Sequence, residues 1–268
     1  MYTKALYLGL LATAAQAHMH MYFPPTLKGD NNPNTKGAAD PYLNYPYGCC
    51  GQPVPGPCKG HLDLLDTDEG KPVVEWAAGQ KANFTLSGKQ IKTSTENPEG
   101  GTHYGGSCQV GFSTDKGKTF KVATTWQGNC PLRDGTTDPS TQTFDFVVPA
   151  DIPSGNAVFA WTWVNREKEF NMNCASVTIT GGKGGQQQEQ QQQQSPKASA
   201  SAPAAAPSKT QDASEAVAFS SRPDMLLGID YNGAKCHSAG GQSELKWPNP
   251  GPDVIKGDGE YQLTEPSC

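Results

Sequence analysis

After residue 17 the sequence has no apolar run approaching the roughly 20 residues that a membrane-spanning helix takes, so a soluble mature chain is expected. It contains no Cys-x-x-Cys pair, which sets aside a zinc ribbon. Its basic residues are scattered through a chain of net charge −5, and nucleic-acid binding asks for a basic face. No alternation of strands with helix-length segments is visible, so a parallel α/β sheet is not expected. Gly-x-Ser-x-Gly, His-Glu-x-x-His and glycine-rich phosphate loops are all missing, which removes the usual hydrolase and nucleotide signatures. Glycoside hydrolysis needs two carboxylates placed across the bond. Asp63, Asp66, Asp68 and Glu69 cluster in HLDLLDTDEG with no such pattern, and they read as a solvated loop.

What is present begins with a secretory signature. Lys4 supplies a positive start, Ala5 to Ala15 an apolar run too short to span, and Ala15-Gln16-Ala17 a small-x-small cleavage site. Cutting there makes His18 the first residue of a secreted, extracellular protein. Eight cysteines, an even number, fit an oxidising compartment and argue for disulfides. Asn83-Phe84-Thr85 is an N-glycosylation acceptor.

Composition divides the chain into a signal peptide at 1–17, a main domain at 18–180, a linker at 181–218 and a short C-terminal extension at 219–268. The linker, GGKGGQQQEQQQQQSPKASASAPAAAPSK and onward, is too poor in apolar residues to bury a core. The extension is small enough to need a staple, and Cys236–Cys268 is the candidate bridge. The main domain reads as all-β. Segments 73–79 and 81–88 read as a strand pair, and 106–126 as two strands around an Asp-Lys-Gly turn. Segments 142–149, 156–165 and 170–180 alternate or run apolar. Short strands at this spacing predict an antiparallel sandwich. Residues 18 to about 72, rich in Pro, Gly, Asn and Tyr, predict a long ordered loop held by cysteines.

Five histidines are available for chemistry: His18, His20, His61, His103 and His237. A mature N-terminal histidine offers one ion both its amine and its ring Nδ1. A second imidazole opposite completes a planar set of three nitrogens, a geometry that suits copper. His103 sits in GGTHYGGSCQ, where glycines let backbone and ligand approach closely. His20, His61 and His237 read as a surface residue near the site, loop structure and an exposed residue. Tyr22, Tyr42, Tyr45, Tyr47 and Tyr104 either form a flat face for sugar rings or pack the long loop.

With these residues together, the sequence resembles the fungal, mainly chitin-active lytic polysaccharide monooxygenases of auxiliary-activity family eleven. The resemblance spans the main domain. It rests on His18, PCKG at 57–60, THYGGSCQVGFSTDKGKTFKV at 102–122, GNCPL at 128–132, FAWTWVNRE at 159–167 and MNCASVTI at 172–179. It implies an immunoglobulin or fibronectin III-like sandwich with one copper on a flat face, held by His18 and His103. It also implies the bridges Cys58–Cys174 and Cys108–Cys130. Cys49 and Cys50 remain, to pair with each other or with the tail. One departure stands out. The family commonly places Tyr, sometimes Phe, on the axial side of the copper, three residues before the cysteine of MNC. Here that position is Asn171, with Phe170 beside it. Strand parity puts Asn171 in the slot, and a bulge would bring Phe170 instead. Glu169 matches the family's acidic residue near the metal. Arg166 and Glu167 read as a possible pair.

The expectation is therefore a monomeric, copper-dependent oxidoreductase that cleaves β-1,4 bonds of chitin or a related polysaccharide. It would take electrons from an external donor and use hydrogen peroxide or oxygen as co-substrate. Two rivals stand beside it: a non-catalytic copper-binding protein built on the same two histidines, and a metal-free module that binds chitin or cell wall.

Overall fold

The computed structural model describes residues 18–89, 91, 100–182 and 217–268. The expected signal peptide and residues 183–216 of the linker lie outside them. Among the described residues the fold is all-β. Strands β1 (His20–Phe23), β3 (Lys81–Ser87) and β6 (Thr143–Val147) form a three-stranded antiparallel sheet in the order β1-β3-β6. The larger sheet has the order β10-β5-β4-β7-β8-β2. Its members are β2 (Val74–Ala77), β4 (Ser107–Ser113), β5 (Lys121–Gln127), β7 (Gly155–Val164), β8 (Phe170–Thr180) and β10 (Val254–Lys256). A small parallel ladder joins β9 (Ser243–Leu245) to β11 (Gln262–Thr264).

The space between the sheets is filled by alternate residues of each strand, as the two-residue period of a strand requires. Phe84 and Leu86 of β3 and Phe144 and Phe146 of β6 meet Val110, Phe112, Phe159 and Trp161 of the larger sheet. Phe84 stacks on Phe144 at 5.0 Å, and Phe146 on Phe159 at 5.2 Å. Fully burying each such ring contributes about 1.5–3 kcal/mol.

The predicted pairing of 73–79 with 81–88 does not form. β2 runs parallel to β8 in the larger sheet, whereas β3 pairs with β1 and β6 in the smaller one. The reason lies in the turn between them. Ala78 N donates to Thr180 O, and the next residue, Gly79, donates to Val148 O. Gly79 takes φ +79°, a conformation that favours glycine, and the chain crosses from one sheet to the other there.

The outer face of the larger sheet is not solvated. Phe170, Met172 and Cys174 of β8 and Val158, Ala160 and Val164 of β7 are covered by Leu27, Tyr47, Met225, Ile229, Leu245 and Trp247. The irregular N-terminal stretch lies along β8: Leu27 N donates to Cys174 O, Tyr47 N to Phe170 O and Val73 N to Ser176 O. Cys58–Cys174 fixes it there, Cys108–Cys130 ties β4 to the loop after β5, and Cys49 pairs with its neighbour Cys50. The C-terminal extension covers the rest. β10 adds to the edge at β5 in parallel, Arg222 donates to Ala123 O and to Asp253, and Cys236–Cys268 closes the segment on itself. Phe219 N donates to the Asp151 carboxylate, and Gly182 N to Ser154 Oγ, so 182 and 219 are both anchored on the turn between β6 and β7.

Candidate metal centre

The loop that leads into β4 has an unusual backbone. His103 and Tyr104 take φ +47° and +57°, and Gly105 and Gly106 follow at +99° and +118°. Left-handed conformations cost non-glycine residues of the order of 1–3 kcal/mol each, so the surroundings must hold them. They do so at four points. Gly105 N donates to Thr102 O and Cys130 N to Gly106 O. The Trp163 indole donates to Gly105 O at 3.0 Å, and Arg133 Nη1 donates to Tyr104 O at 3.0 Å. A Cβ on Gly106 would fall 2.4 Å from Val164 O, so only glycine lets the loop lie this close to the end of β7.

His103 is thereby turned inward, and its side chain is 1% exposed. Nδ1 lies 3.1 Å from Glu167 Oε2, and the ring meets Trp163 edge-on with centroids 6.3 Å apart. Glu169 completes a group in which one ligand atom from each of His103, Glu167 and Glu169 lies within 4.8 Å of the others. Asn165 shapes that group from the β7–β8 turn. Its Oδ1 accepts from Glu167 N and Glu169 N, and its Nδ2 donates to Glu169 Oε2 at 2.6 Å. Burial pushes the Glu169 carboxyl above the usual carboxylate range, opposed by the Asn165 hydrogen bond.

His18 reaches the same region from the other side. It is buried, with its ring edge-on to Tyr45 at 4.1 Å. A Cβ on Gly100 would fall 1.7 Å from His18 O, so the loop that carries His103 starts against the His18 backbone. Asn44 stands behind, donating to His20 Nδ1 at 2.8 Å and to Lys89 O. His20 is therefore not the surface residue expected from sequence. It is 3% exposed, and burial pushes its imidazole down to about 4, which keeps it neutral with Nδ1 as an acceptor. His18 also has the Cys49 and Cys50 sulfurs within 4.8 Å. Those sulfurs are bonded to each other and offer no thiolate.

Asn171 lies between the two histidine-bearing segments. Along β8, Glu169, Asn171 and Asn173 share a face, spaced about 7 Å per pair of residues. Glu169 belongs to the His103 group, and Asn173 Oδ1 accepts from Met21 N, three residues from His18. Asn171 is fully buried, and neither amide atom has a hydrogen-bond partner among the described residues. Leaving a buried amide unsatisfied costs about 1–3 kcal/mol. Two buried imidazoles and a buried, unsatisfied amide oxygen on the strand between the segments that carry them are donor types that fit a borderline metal such as copper. Phe170 points to the opposite face, where it packs on Tyr47 at 5.0 Å and on Tyr231 at 5.9 Å.

The remaining candidates are spread out. Tyr104 is 60% and Tyr22 38% exposed, whereas Tyr47 is part of the outer core. Arg166 does not pair with Glu167. Its guanidinium lies 3.4 Å over the Tyr261 ring and 5.8 Å from Tyr104, while Glu167 faces His103. His61 bonds Asp40 at 2.7 Å and His237 is exposed. Asn83 is exposed on β3, opposite Asp145. Asp66, Asp68 and Glu69 form ion pairs with lysines. Glu167, Asn165 and Trp163 join the site without a role expected from sequence, and Tyr45, expected on a sugar-facing surface or in loop packing, instead lies edge-on to His18. Only Asn165, a turn former before a charged run, carried a local signal.

No protein-family model matches the chain. It is 35% identical over 174 residues to AA11 family lytic polysaccharide monooxygenase A of Aspergillus fumigatus, covering 63% of this chain and 68% of the relative. It is 32% identical over 181 residues to AA11 family lytic polysaccharide monooxygenase B of the same species, covering 62% of this chain and 37% of that relative. Among solved structures, a cellulose-active polysaccharide monooxygenase from M. thermophila aligns with 63% of this chain and 78% of its own, at 12% identity and TM-score 0.33.

Proposed function

The chain belongs to the AA11 family of lytic polysaccharide monooxygenases, copper-dependent oxidoreductases, and from that premise we propose that it is secreted, acts as a monomer and cleaves β-1,4 bonds of chitin or a related polysaccharide. The observation that supports the reading is that His18 and His103 are both buried, on segments that meet where Gly100 lies against the His18 backbone, with the unsatisfied Asn171 amide buried on the neighbouring strand. Cleavage after Ala17 would free the His18 amine, so one residue supplies two nitrogens and His103 a third. Asn171, whose amide is buried and without a hydrogen-bond partner among the described residues, would offer its carbonyl oxygen as a further donor to the ion. Copper held there supplies one-electron chemistry toward hydrogen peroxide or oxygen, with electrons from an external donor.

The chain's own residues do the rest. Tyr45 and Trp163 pack on the two imidazole rings and fix their planes. Glu169, held by Asn165 and with its carboxyl pushed upward by burial, stands in the His103 group as the side chain that could exchange a proton there. Tyr104, exposed and next to His103, offers a ring on which a sugar can stack. Asn83 carries an N-glycan away from this face.

The test is incubation of the copper-loaded protein, beginning at His18, with chitin and ascorbate. Oxidised oligosaccharides in the mass spectrum are the expected result. A second reading, copper binding without catalysis, is favoured by the single departure at Asn171. Tight copper binding with no oxidised product on chitin, cellulose or xylan would establish it over the first.

A further inference from the structure

The C-terminal extension does more than cover the sheet. We infer that Glu244 is a positioning residue for His103, acting through the backbone of the 103–106 loop. The inference rests on the copper reading for the role of His103, but not for the geometry. Glu244 begins its contribution from β9, where its side chain is 1% exposed. One oxygen, Oε1, accepts from Gly106 N at 2.9 Å, from Asn129 N at 3.1 Å, and from both Nη1 and Nη2 of Arg133 at 3.1 Å. The next residue continues the contact, with Ser107 Oγ donating to Leu245 O at 2.6 Å.

These bonds converge on the backbone that turns His103 inward. Gly106 is gripped through both of its backbone polar groups, its N–H by Glu244 and its carbonyl by Cys130 N. Arg133 bridges the Glu244 carboxylate to the Tyr104 carbonyl, one residue from His103, and is itself held by Asp258 of the extension. The loop is built to admit the carboxylate. A Cβ on Gly105 would fall 2.7 Å from Glu244 Oε1, and a Cβ on Gly128 2.5 Å from Oε2.

Tethering the extension does not require this arrangement. Leu245 and Trp247 are already buried in the outer core, and β10 is already paired with β5. Burying a carboxylate costs several kcal/mol unless its hydrogen bonds are met, so a carboxylate is a poor glue where leucine would serve. What it supplies instead is a strong acceptor for two backbone N–H groups and a guanidinium. Those groups belong to a loop whose left-handed residues need holding. A ligand kept in place before the metal arrives binds it more tightly, because less ordering remains to be done at binding.

The test compares Glu244→Ala, Glu244→Gln and Met225→Ala in the full mature chain. Met225 packs in the outer core away from the loop and serves as the destabilised control. In the copper-free protein, hydrogen exchange at the amides of 103–106 should rise about tenfold in E244A. The copper(II) dissociation constant, read by chelator competition, should weaken about tenfold. E244Q keeps an acceptor oxygen and should restore both to within about threefold of the parent. M225A should leave both within about twofold despite its lower Tm. Exchange and affinity unchanged in E244A, or changed equally in M225A at a matched loss of Tm, would overturn the role. Should E244A fail to fold, R133M removes the link to the Tyr104 carbonyl and must raise the same exchange rates. A parent protein that binds no copper would overturn the copper reading, and the exchange result would still decide the positioning of the loop.

Discussion

The two faces of the six-stranded sheet are both buried, yet they are covered in different ways. The inner face meets a second sheet, and its rings interdigitate residue for residue across the gap. The outer face meets two largely irregular segments from opposite ends of the chain, pinned by isolated hydrogen bonds to β8, by the short β10 ladder on β5 and by Cys58–Cys174. A regular cover gives one well-packed interior. An irregular cover leaves backbone groups and loop side chains free to be aimed, and both histidines sit where these irregular segments meet the ends of the strands. The inner core supplies rigidity, and the outer cover helps to supply the site.

The strongest way to break that contrast is to remove part of the cover. Deleting residues 219–268 strips Met225, Ile229, Leu245 and Trp247 from the outer face, each worth about 1.5–3 kcal/mol. Loss of cooperative unfolding and aggregation are expected in a thermal melt, whereas an independent tail would leave the melt unchanged. Single cavities sharpen the contrast. Phe159→Ala, in the inner core, should cost about 4 kcal/mol in urea unfolding, near the middle of the range for such truncations. Phe170→Ala, beneath Tyr47 and Tyr231, should cost less, about 3 kcal/mol, because a loop cover can settle into the space.

His20 gives the contrast a pH dependence. Its imidazole is held near 4 when folded, against about 6.5 unfolded. The folded state thus binds fewer protons in between. Its contribution is fully present above pH 6.5 and is lost as pH falls toward 4, amounting to about 3 kcal/mol. His20→Gln should flatten that part of the stability curve, and an unchanged acid limb would contradict the assignment. The smallest effect has the opposite sign. Asn171→Leu replaces a buried, unsatisfied amide by an apolar group of similar size, and should stabilise the copper-free protein by about 1–2 kcal/mol. A loss of stability would mean that the amide is satisfied.

The inner core was largely legible in the sequence because its strands face a partner on one defined period: 106–126, 142–149, 156–165 and 170–180 all form strands near the expected positions. Alternation did not reveal the sheet partner of 73–79, because the crossover depends on hydrogen bonds from Ala78 to Thr180 and from Gly79 to Val148, both distant in sequence. The outer cover was legible only as cysteines and proline-rich text. Nothing local in RPDML or SELKW signals that Met225 and Trp247 would be buried on β5 and β4 neighbours. The same holds at the site. His103 was found because glycines mark a special backbone on both sides of it. Glu167, Trp163 and Tyr45 surround the imidazoles by tertiary packing alone, and the burial of His20 follows from Asn44, 24 residues away.

The claim that the irregular edge of this sandwich holds copper through a processed terminus is tested most directly by a copper(II) titration of two chains, one beginning at His18 and one with a single alanine added before it. The chain beginning at His18 should bind one equivalent tightly, with nitrogen hyperfine structure in its electron paramagnetic resonance spectrum, and the added alanine should weaken binding by at least a hundredfold. Equal affinity and identical spectra for the two chains would contradict the account.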